Sequence, residues 1–496
     1  MTTPASRAGS WREQFAGRIG DAPAVLEGGA TWWSGAELVE RAGGAARWLA
    51  SIGVEEGCAV PALLVASANA IALTVAGALW NRPVAPLGPR LGVDELVHCV
   101  DGLGGTALVA DPAAADLART VAARTGTTVH VLPDELERVE QGIGPVADGS
   151  QLVAYLHTSG TTGYPKAVPV REGALARRAV RNATALGLDD GSVYATAAGY
   201  HHIAGLGMML VVLASGGAIA PFPAFSVDAW RSLSAVGPTH ALLVPAQIDA
   251  LLDAGALRLP TLEVLQYGAS PIHPDTLRRA LAALPATRFL QIYGQTEGSP
   301  ITFLDHDDHL RALSGEPWLL ASNGRAAPGV ELELHTDAST ADHGDGVGEV
   351  RARAAHFFVR GDDGWLATGD LGRLDAGGYL TLVGRLGDGI VRGGENVYPL
   401  EVERALETHP GVAEAAVIGV ADRRMGQRIA AVVVPAPGRP APDEADLVRW
   451  CRDRLAHFKV PERWRFAEAL PRNPAGKLLR RGLAAGFDDP SVRAGE

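Results

Sequence analysis

A chain of 496 residues is too long for one ordinary hydrophobic core, so two or more domains are expected. Its formal net charge of −12 argues against a nucleic-acid partner, because neutralising a phosphate backbone requires a basic footprint. Three cysteines, Cys58, Cys99 and Cys451, are too few and too scattered for a disulfide framework or a zinc site, and a reducing cytoplasm suits them best.

The first residues, Met1-Thr2-Thr3-Pro4-Ala5-Ser6, lack the apolar centre of a signal peptide. The apolar run 59–80 is long enough to span a bilayer, but Pro61, Ser67 and Asn69 divide it into a strand over 60–66 and a helix over 70–80. A second run, 203–223, is interrupted by glycine and reads as helical first and extended afterwards. Neither has uniform apolarity or a basic flank, so both are read as buried elements of an α/β core, with no membrane insertion. Strand-like runs alternate with Ala/Leu/Arg helices through much of the chain up to Pro300, the pattern of layered α/β architecture. From Val330 onward the pattern changes to short alternating strands at 330–334, 348–352 and 379–383, which predict a small β subdomain. The segment from Asp388 to the end reads as a small α+β unit, with helices over 400–408 and 443–455 and strands over 413–420 and 428–435.

One loop concentrates polar chemistry. Between a strand at 152–157 and an extended stretch at 167–170 lies Thr158-Ser159-Gly160-Thr161-Thr162-Gly163-Tyr164-Pro165-Lys166. Glycines let backbone N–H groups form a concave cradle, hydroxyls donate to phosphate oxygens, and lysine adds a mobile positive charge. The spacing differs from G-x-x-x-x-G-K-[ST], and the next helix starts only near Glu172, so its dipole is not aimed at the loop. Taken alone, the stretch also fits a glycine-rich hairpin with incidental hydroxyls.

Four further segments accompany it. Tyr293-Gly294-Gln295-Thr296-Glu297 follows the apolar strand 289–292, and Trp365-Leu366-Ala367-Thr368-Gly369-Asp370 closes on a carboxylate. Gly384-Arg385 leads through Asp388 to Arg392-Gly393-Gly394, and Leu470-Pro471-Arg472-Asn473-Pro474-Ala475-Gly476-Lys477 lies near the C-terminus. Together, in this order and across nearly the whole chain, these motifs resemble the adenylate-forming superfamily of acyl-CoA synthetases, free-standing adenylation enzymes and luciferases.

The resemblance implies a large N-terminal domain, 1–386, built of two layered α/β subdomains and a small β subdomain. A small, mobile α+β C-terminal domain, 387–496, would pivot near Gly387. It also implies activation of a carboxylic acid by ATP and Mg²⁺, a phosphoryl-transfer step that requires positioning and charge cancellation. In that reading the 158–166 loop (Thr158, Ser159, Gly160, Thr161, Thr162, Gly163 and Lys166) holds the β- and γ-phosphates. Glu297 holds the metal and Thr296 a phosphate oxygen. Gly268, Ala269, Ser270, Tyr293, Gly294 and Gln295 complete the nucleotide site. Asp370 accepts from the ribose hydroxyls, and Arg385 adds a permanently charged contact. Lys477 bridges the carboxylate and the α-phosphate during adenylation. Gly393 and Gly394 leave a narrow tunnel for the pantetheine arm of CoA, and Arg90 meets a CoA phosphate.

The pair His201-His202, followed by Ile203-Ala204-Gly205, resembles the superfamily's aromatic-His-x-x-Gly motif, with Gly199 and Tyr200 in place of its usual proline and leucine. The resemblance implies His202 beside the acid's carboxylate, and a hydrogen-bonded core pair is the alternative. The acid pocket would take its walls from His201, Tyr267, Gly294, Ser299 and Pro300. Arg181, on the helix after the loop, would select an extra acidic or hydroxyl group, or else lie in solvent with its neighbours Arg177 and Arg178. His157 and Lys166-Ala167 are most similar to benzoate-type aryl-CoA ligases. Three readings stay open: a carboxylic acid–CoA ligase for an aromatic or short polar acid, an adenylating enzyme that passes its product to an amine or carrier protein, and an inactive nucleotide-binding regulator. The simultaneous presence of Lys477, Glu297 and Asp370 weighs against the third. A homodimer is left open.

Overall fold

The computed structural model of the chain describes residues 9–27, 31–143, 149–159, 164–336, 346–392, 395–472 and 478–487. The chain divides into two compact units. One comprises Met1–Leu320, Ala327–Val330 and Arg353–Leu366; the other comprises Ala321–Ala326, Glu331–Ala352 and Ala367–Glu496. Both are mixed α/β.

The first unit is built on two sheets whose inner strands are short, apolar and parallel, the pattern of strands covered on both faces. Across one sheet the order is Thr302–Leu304, Arg288–Tyr293, Val264–Gly268, His240–Leu243, Val193–Thr196, Ala218–Pro221, Pro23–Glu27 and Thr31–Ser34. All of these neighbours pair in parallel except the first two and the last two. Across the other the order is Thr128–Val131, Ala107–Ala110, Val60–Leu63, Val84–Pro86, Leu152–Ser159 and Pro165–Arg171. Only its last pair is antiparallel.

The two long apolar runs resolve into core elements. Ser67 caps the helix Ala68–Leu79, its hydroxyl accepting from the Ala70 N–H at 3.1 Å, and every residue of that helix except Asn69 is buried. A helix apolar on all sides belongs inside a large core. The second run forms a π-helical turn Ile203–Gly207, the fully buried helix Met208–Ser215 and the strand Ala218–Pro221. Among the described residues no helix is long and apolar enough to cross a membrane.

In the second unit, Glu331–His335, Gly348–Arg353, Leu366–Leu374 and Leu380–Arg385 form a four-stranded sheet. A further sheet runs Glu395–Val397, Ile390–Arg392, Gly426–Pro435, Val412–Asp422, with Arg463–Phe466 added in parallel to Gly426–Pro435. The helices Pro399–Glu407 and Glu444–Arg452 supply Val402, Leu406 and Leu447 to a core completed by Val417, Ile429 and Val433. Cys58, Cys99 and Cys451 are all free thiols.

Candidate active site

The hairpin of Leu152–Ser159 and Pro165–Arg171 sets Thr158 opposite Lys166 and Ser159 opposite Pro165, so the polar loop is carried at its tip. Gly160, Thr161, Thr162 and Gly163 lie outside the described residues, as does the side chain of Ser159. Lys166 is exposed. The Thr158 hydroxyl donates to Oε1 of Glu297 at 2.9 Å, joining two of the motifs within the first unit.

Close backbone packing shapes the Glu297 loop. Gln295 and Gly298 exchange backbone hydrogen bonds at 3.0 and 3.1 Å, and the Glu297 carbonyl accepts from Phe358 N–H at 2.8 Å and Val359 N–H at 3.1 Å. A Cβ on Gly298 would lie 2.4 Å from Leu366 Cδ2, and one on Gly294 would lie 2.9 Å from the Ser299 side chain. Tyr293 ends the preceding strand, its carbonyl accepting from Ile301 N–H at 2.9 Å, while Gln295 and Thr296 remain half-buried. On the adjacent strand, Gly268 pairs with Ile292 so tightly that a Cβ there would sit 2.3 Å from the Ile292 carbonyl oxygen. Ala269 follows at φ 67°, a left-handed conformation that costs a non-glycine residue energy, and Ser270 comes next. Strain of this kind concentrates at functional loops.

Tyr267 turns inward. His309 Nδ1 lies 2.5 Å from the Asp305 carbonyl, which can only accept, so Nδ1 carries the proton and Nε2 accepts the Tyr267 hydroxyl at 2.8 Å. Both residues are buried, and the Tyr267 hydroxyl is committed to this contact.

The histidine pair is a local cluster. The His201 and His202 rings lie 4.0 Å apart, and Tyr200 anchors the turn by donating to the Ala70 carbonyl at 2.8 Å. A Cβ on Gly88 would come within 2.9 Å of His201 Nε2, so glycine at that position makes room for the ring. Burial, followed by the charges of His202, Arg90 and His157, lowers the His201 pKa to about 3. Burial, followed by His98, lowers His157 to about 4, and burial lowers His202. At neutral pH all three rings are therefore uncharged, able to orient an anion by hydrogen bonding without adding a full charge. The Nδ1 of His157 is buried without a partner, and His98 packs on Tyr164 at 4.7 Å. Arg90 is exposed.

The helix Glu172–Leu186 carries the arginines. Arg178 is 2 % exposed, with Nη1 donating to the Ser299 carbonyl at 2.5 Å and Nη2 at 3.9 Å from the Met208 sulfur. Arg181 is half-buried against Gly329, where a Cβ would lie 2.8 Å from its terminal nitrogens. Ser299 and the following Pro300 are also tied to this locus, since His356 Nε2 donates to the Pro300 carbonyl at 3.0 Å. A surface cavity of about 330 Å³, lined in part by Arg171, Arg177, Phe358 and Arg360, opens beside these residues, since Phe358 N–H donates to the Glu297 carbonyl.

The second unit brings Asp370 and Arg385 together by strand register, Nε to Oδ1 at 3.6 Å. Gly369, at φ 72°, donates its N–H to Glu349 and lets the strand turn just before Asp370. Gly387 sits at φ 84° in the turn closed by Asp388 N–H to the Arg385 carbonyl at 3.1 Å. Gly393, Gly394 and Lys477 lie outside the described residues. Among the described residues no group of three or more metal-binding side chains occurs. Glu297 alone nevertheless fits Mg²⁺, which takes one or two carboxylates together with substrate phosphates.

Comparison with known proteins meets this geometry. The family model for the AMP-binding enzyme matches residues 12–359, and that for the AMP-binding enzyme C-terminal domain matches residues 401–477. The chain belongs to the AMP-binding enzyme family. Within it, the chain is 34% identical over 505 residues to a feruloyl-CoA synthase of an Amycolatopsis species, covering 95% of this chain and 97% of that one. It is 38% identical over 369 residues to a fatty acid–[acyl-carrier-protein] ligase of Streptomyces coeruleorubidus, covering 69% of this chain and 68% of that one. Its fold matches the amide bond synthetase of Marinactinospora thermotolerans with a TM-score of 0.85 at 28% identity, covering 96% and 99% of the two chains. The names of these similar proteins refer to CoA, to an acyl-carrier protein and to amide-bond synthesis.

Arg178, His309 and His356 lie outside the sequence motifs. For Arg178 a signal existed: it falls on the helix stripe of Leu175, Ala179, Asn182 and Leu186, all buried, where a cation is out of place. His309 and His356 belong to no motif, and their roles depend on contacts made far away in the chain.

Proposed function

We propose that the chain is an AMP-forming ligase that activates an aromatic or short polar carboxylic acid and transfers it to CoA. In the first half-reaction the acid's carboxylate oxygen bonds to the α-phosphorus of ATP, the bond to the β-phosphate oxygen breaks, and pyrophosphate leaves. In the second the CoA thiol, giving up its proton, bonds to the acyl carbon and AMP leaves. The observation that carries this reading is the 2.9 Å hydrogen bond from Thr158 to Glu297, which links the hydroxyl-rich hairpin to a carboxylate suited to Mg²⁺.

In this reading the hairpin tip from Thr158 to Lys166 binds the β- and γ-phosphates, with Thr296 beside them. Mg²⁺, when bound at Glu297, neutralises phosphate charge. Gly268, Ala269, Ser270, Tyr293, Gly294 and Gln295 border the nucleotide, and Asp370 with Arg385 takes the ribose. His202, neutral at working pH, orients the acid's carboxylate, and His201, Tyr267, Ser299 and Pro300 shape its surroundings. Lys477 offsets the repulsion between carboxylate and α-phosphate. Gly393, Gly394 and Arg90 receive CoA after residues 387–496 rotate about Gly387 relative to 1–386. A cytoplasmic setting, where ATP and CoA are present, suits this chemistry.

A second reading has support of its own. The 38% identity to a carrier-protein ligase and the fold match to an amide bond synthetase favour acceptors other than CoA. Pyrophosphate release against a panel of acids, with and without CoA, tests both. Sustained turnover only with CoA is the expected result; turnover indifferent to CoA but restored by an amine or a carrier protein replaces it with the second reading.

A further inference from the structure

Arg178 is a cation in the wrong place for a merely structural residue. It sits 2 % exposed on the buried stripe of the helix Glu172–Leu186, and no carboxylate among the described residues pairs with it. One carbonyl oxygen, that of Ser299, and one weakly accepting sulfur, that of Met208, are its partners, and its Nε has none. A guanidinium offers five N–H groups, so this one is under-satisfied. Burying an unpaired charge is costly, and chains normally place an opposite charge beside it or omit it.

Its surroundings deepen the anomaly. Arg181 follows three positions later, on the same side of the helix, and its Nε is likewise buried without a partner. Arg177 is half-buried, its Nε donating to the Ala355 carbonyl at 2.9 Å, and after burial the cation Arg360 lowers its pKa further. The charges of Arg181, Arg178 and Arg177 all reach His356, which burial has already made hard to protonate. The other titratable side chain facing Arg178 is Tyr194, buried and neutral. Positive charge thus collects behind Ser299 and Pro300, and no carboxylate among the described residues pairs with Arg178 to balance it.

Ser299 and Pro300 are walls of the acid pocket in the function proposed above, on which this inference rests. We propose that Arg178, with Arg181 beside it, is the counter-ion for a second acidic group on the substrate, so that the acid activated is a dicarboxylic one. The carboxylate remote from the reacting end would supply the missing partner, with a geometry that a planar guanidinium matches in two parallel hydrogen bonds. Arg178 is then a specificity-determining residue, remote from the bond that forms.

Matched pairs of acids test this: aromatic and short aliphatic dicarboxylic acids against their monomethyl half-esters, assayed by pyrophosphate release with the full-length enzyme. The wild type is expected to favour the diacid at least tenfold in kcat/KM. In Arg178→Met that ratio should collapse to near one, mainly through a higher KM for the diacid, and Arg178→Lys should retain part of it. Equal or better use of the half-esters by the wild type overturns the inference while leaving the ligase function standing, and needs no variant. Equal loss on diacid and half-ester in a folded Arg178→Met also overturns it, because that marks a structural role. If Arg178→Met does not fold, Arg181→Met must lower the same ratio, and an unchanged ratio there overturns the inference. No pyrophosphate release with any acid would instead remove the ligase reading itself.

Discussion

Thr158 and Glu297, 139 positions apart in sequence, are joined by a 2.9 Å hydrogen bond in which the hydroxyl donates to the carboxylate. The bond orients one carboxylate oxygen; in the function proposed above, the other is the one that would face the metal ion. Replacing Glu297 by Gln keeps the shape and an acceptor oxygen but removes the charge. Adenylation should fall at least about a hundredfold, on the order of 3 kcal/mol, with a rise in the Mg²⁺ concentration needed for half-maximal rate. Thr158→Val should cost less, about tenfold, because it removes one hydroxyl and leaves the Glu297 charge in place. Mg²⁺ titrations of pyrophosphate release check both, and an unaltered Mg²⁺ dependence in Glu297→Gln would remove the metal role.

Gly268 is held by sterics rather than by flexibility. A methyl group there would meet the Ile292 carbonyl oxygen at 2.3 Å, and neither partner is a mobile side-chain end. Gly268→Ala should destabilise the first unit by about 1–3 kcal/mol, as overpacking does, and should disturb Ala269 and Ser270 at the same time. Gly102, within the helix Val93–Leu103, has nothing within 4 Å of its Cβ position. Gly102→Ala should therefore stabilise by roughly 0.5–1 kcal/mol. Urea unfolding of the two variants should move in opposite directions.

Four histidines of the first unit make its stability depend on pH. Burial lowers His309 and His157 to about 4, and His356 and His201 to about 3, from an ordinary value of 6.5. Between pH 6.5 and those values the unfolded chain binds more protons than the folded one. The contribution to stability is therefore complete above about pH 6.5 and is lost as pH falls toward 4 and 3. For the fully buried His309 alone this amounts to about 3 kcal/mol. Denaturation midpoints followed from pH 8 to pH 4 should fall, and His309→Gln should flatten part of that slope while costing stability at pH 7. A flat profile in the wild type would show that these rings are not held neutral.

Much of this architecture is legible in the sequence where its signals are local. The strand at 60–63, the helix after Ser67 and the hairpin around Thr158 each announce themselves by apolar runs, a cap and a glycine-rich turn. The strand order is not legible, because it rests on pairings such as Val25 with Ile219, which no local pattern encodes. The edge hairpin Pro23–Glu27 and Thr31–Ser34 also escapes, since its alternation is too short to stand out. In the candidate site the motif residues are visible as types, while the Tyr267–His309 contact and the burial of Arg178 arise only from packing.

Lys477 carries the sharpest kinetic expectation. If its ammonium group offsets the charge of carboxylate and α-phosphate together, Lys477→Ala should slow pyrophosphate release at least about a hundredfold, of order 3 kcal/mol. Supplying a synthetic acyl-adenylate bypasses that step, and thioester formation from it should remain close to the wild-type rate. Loss of both steps to the same degree would assign the residue to folding or to general binding.

Gly387 adopts φ 84° in the turn that follows Asp370's partner Arg385, and no atom lies within 4 Å of its Cβ position. The obstacle to substitution there is conformational, since proline fixes φ near −65° and cannot enter the left-handed region. Should residues 387–496 turn about this point between the two half-reactions, the conformations the chain visits must differ most at Gly387. Gly387→Pro should then depress thioester formation from a supplied acyl-adenylate more than it depresses pyrophosphate release, by about tenfold or more. Gly387→Ala, strained at the same φ but not locked, should show the same bias more weakly. Equal loss of both half-reactions in Gly387→Pro would mean that the turn serves stability alone and that the pivot lies elsewhere in the segment.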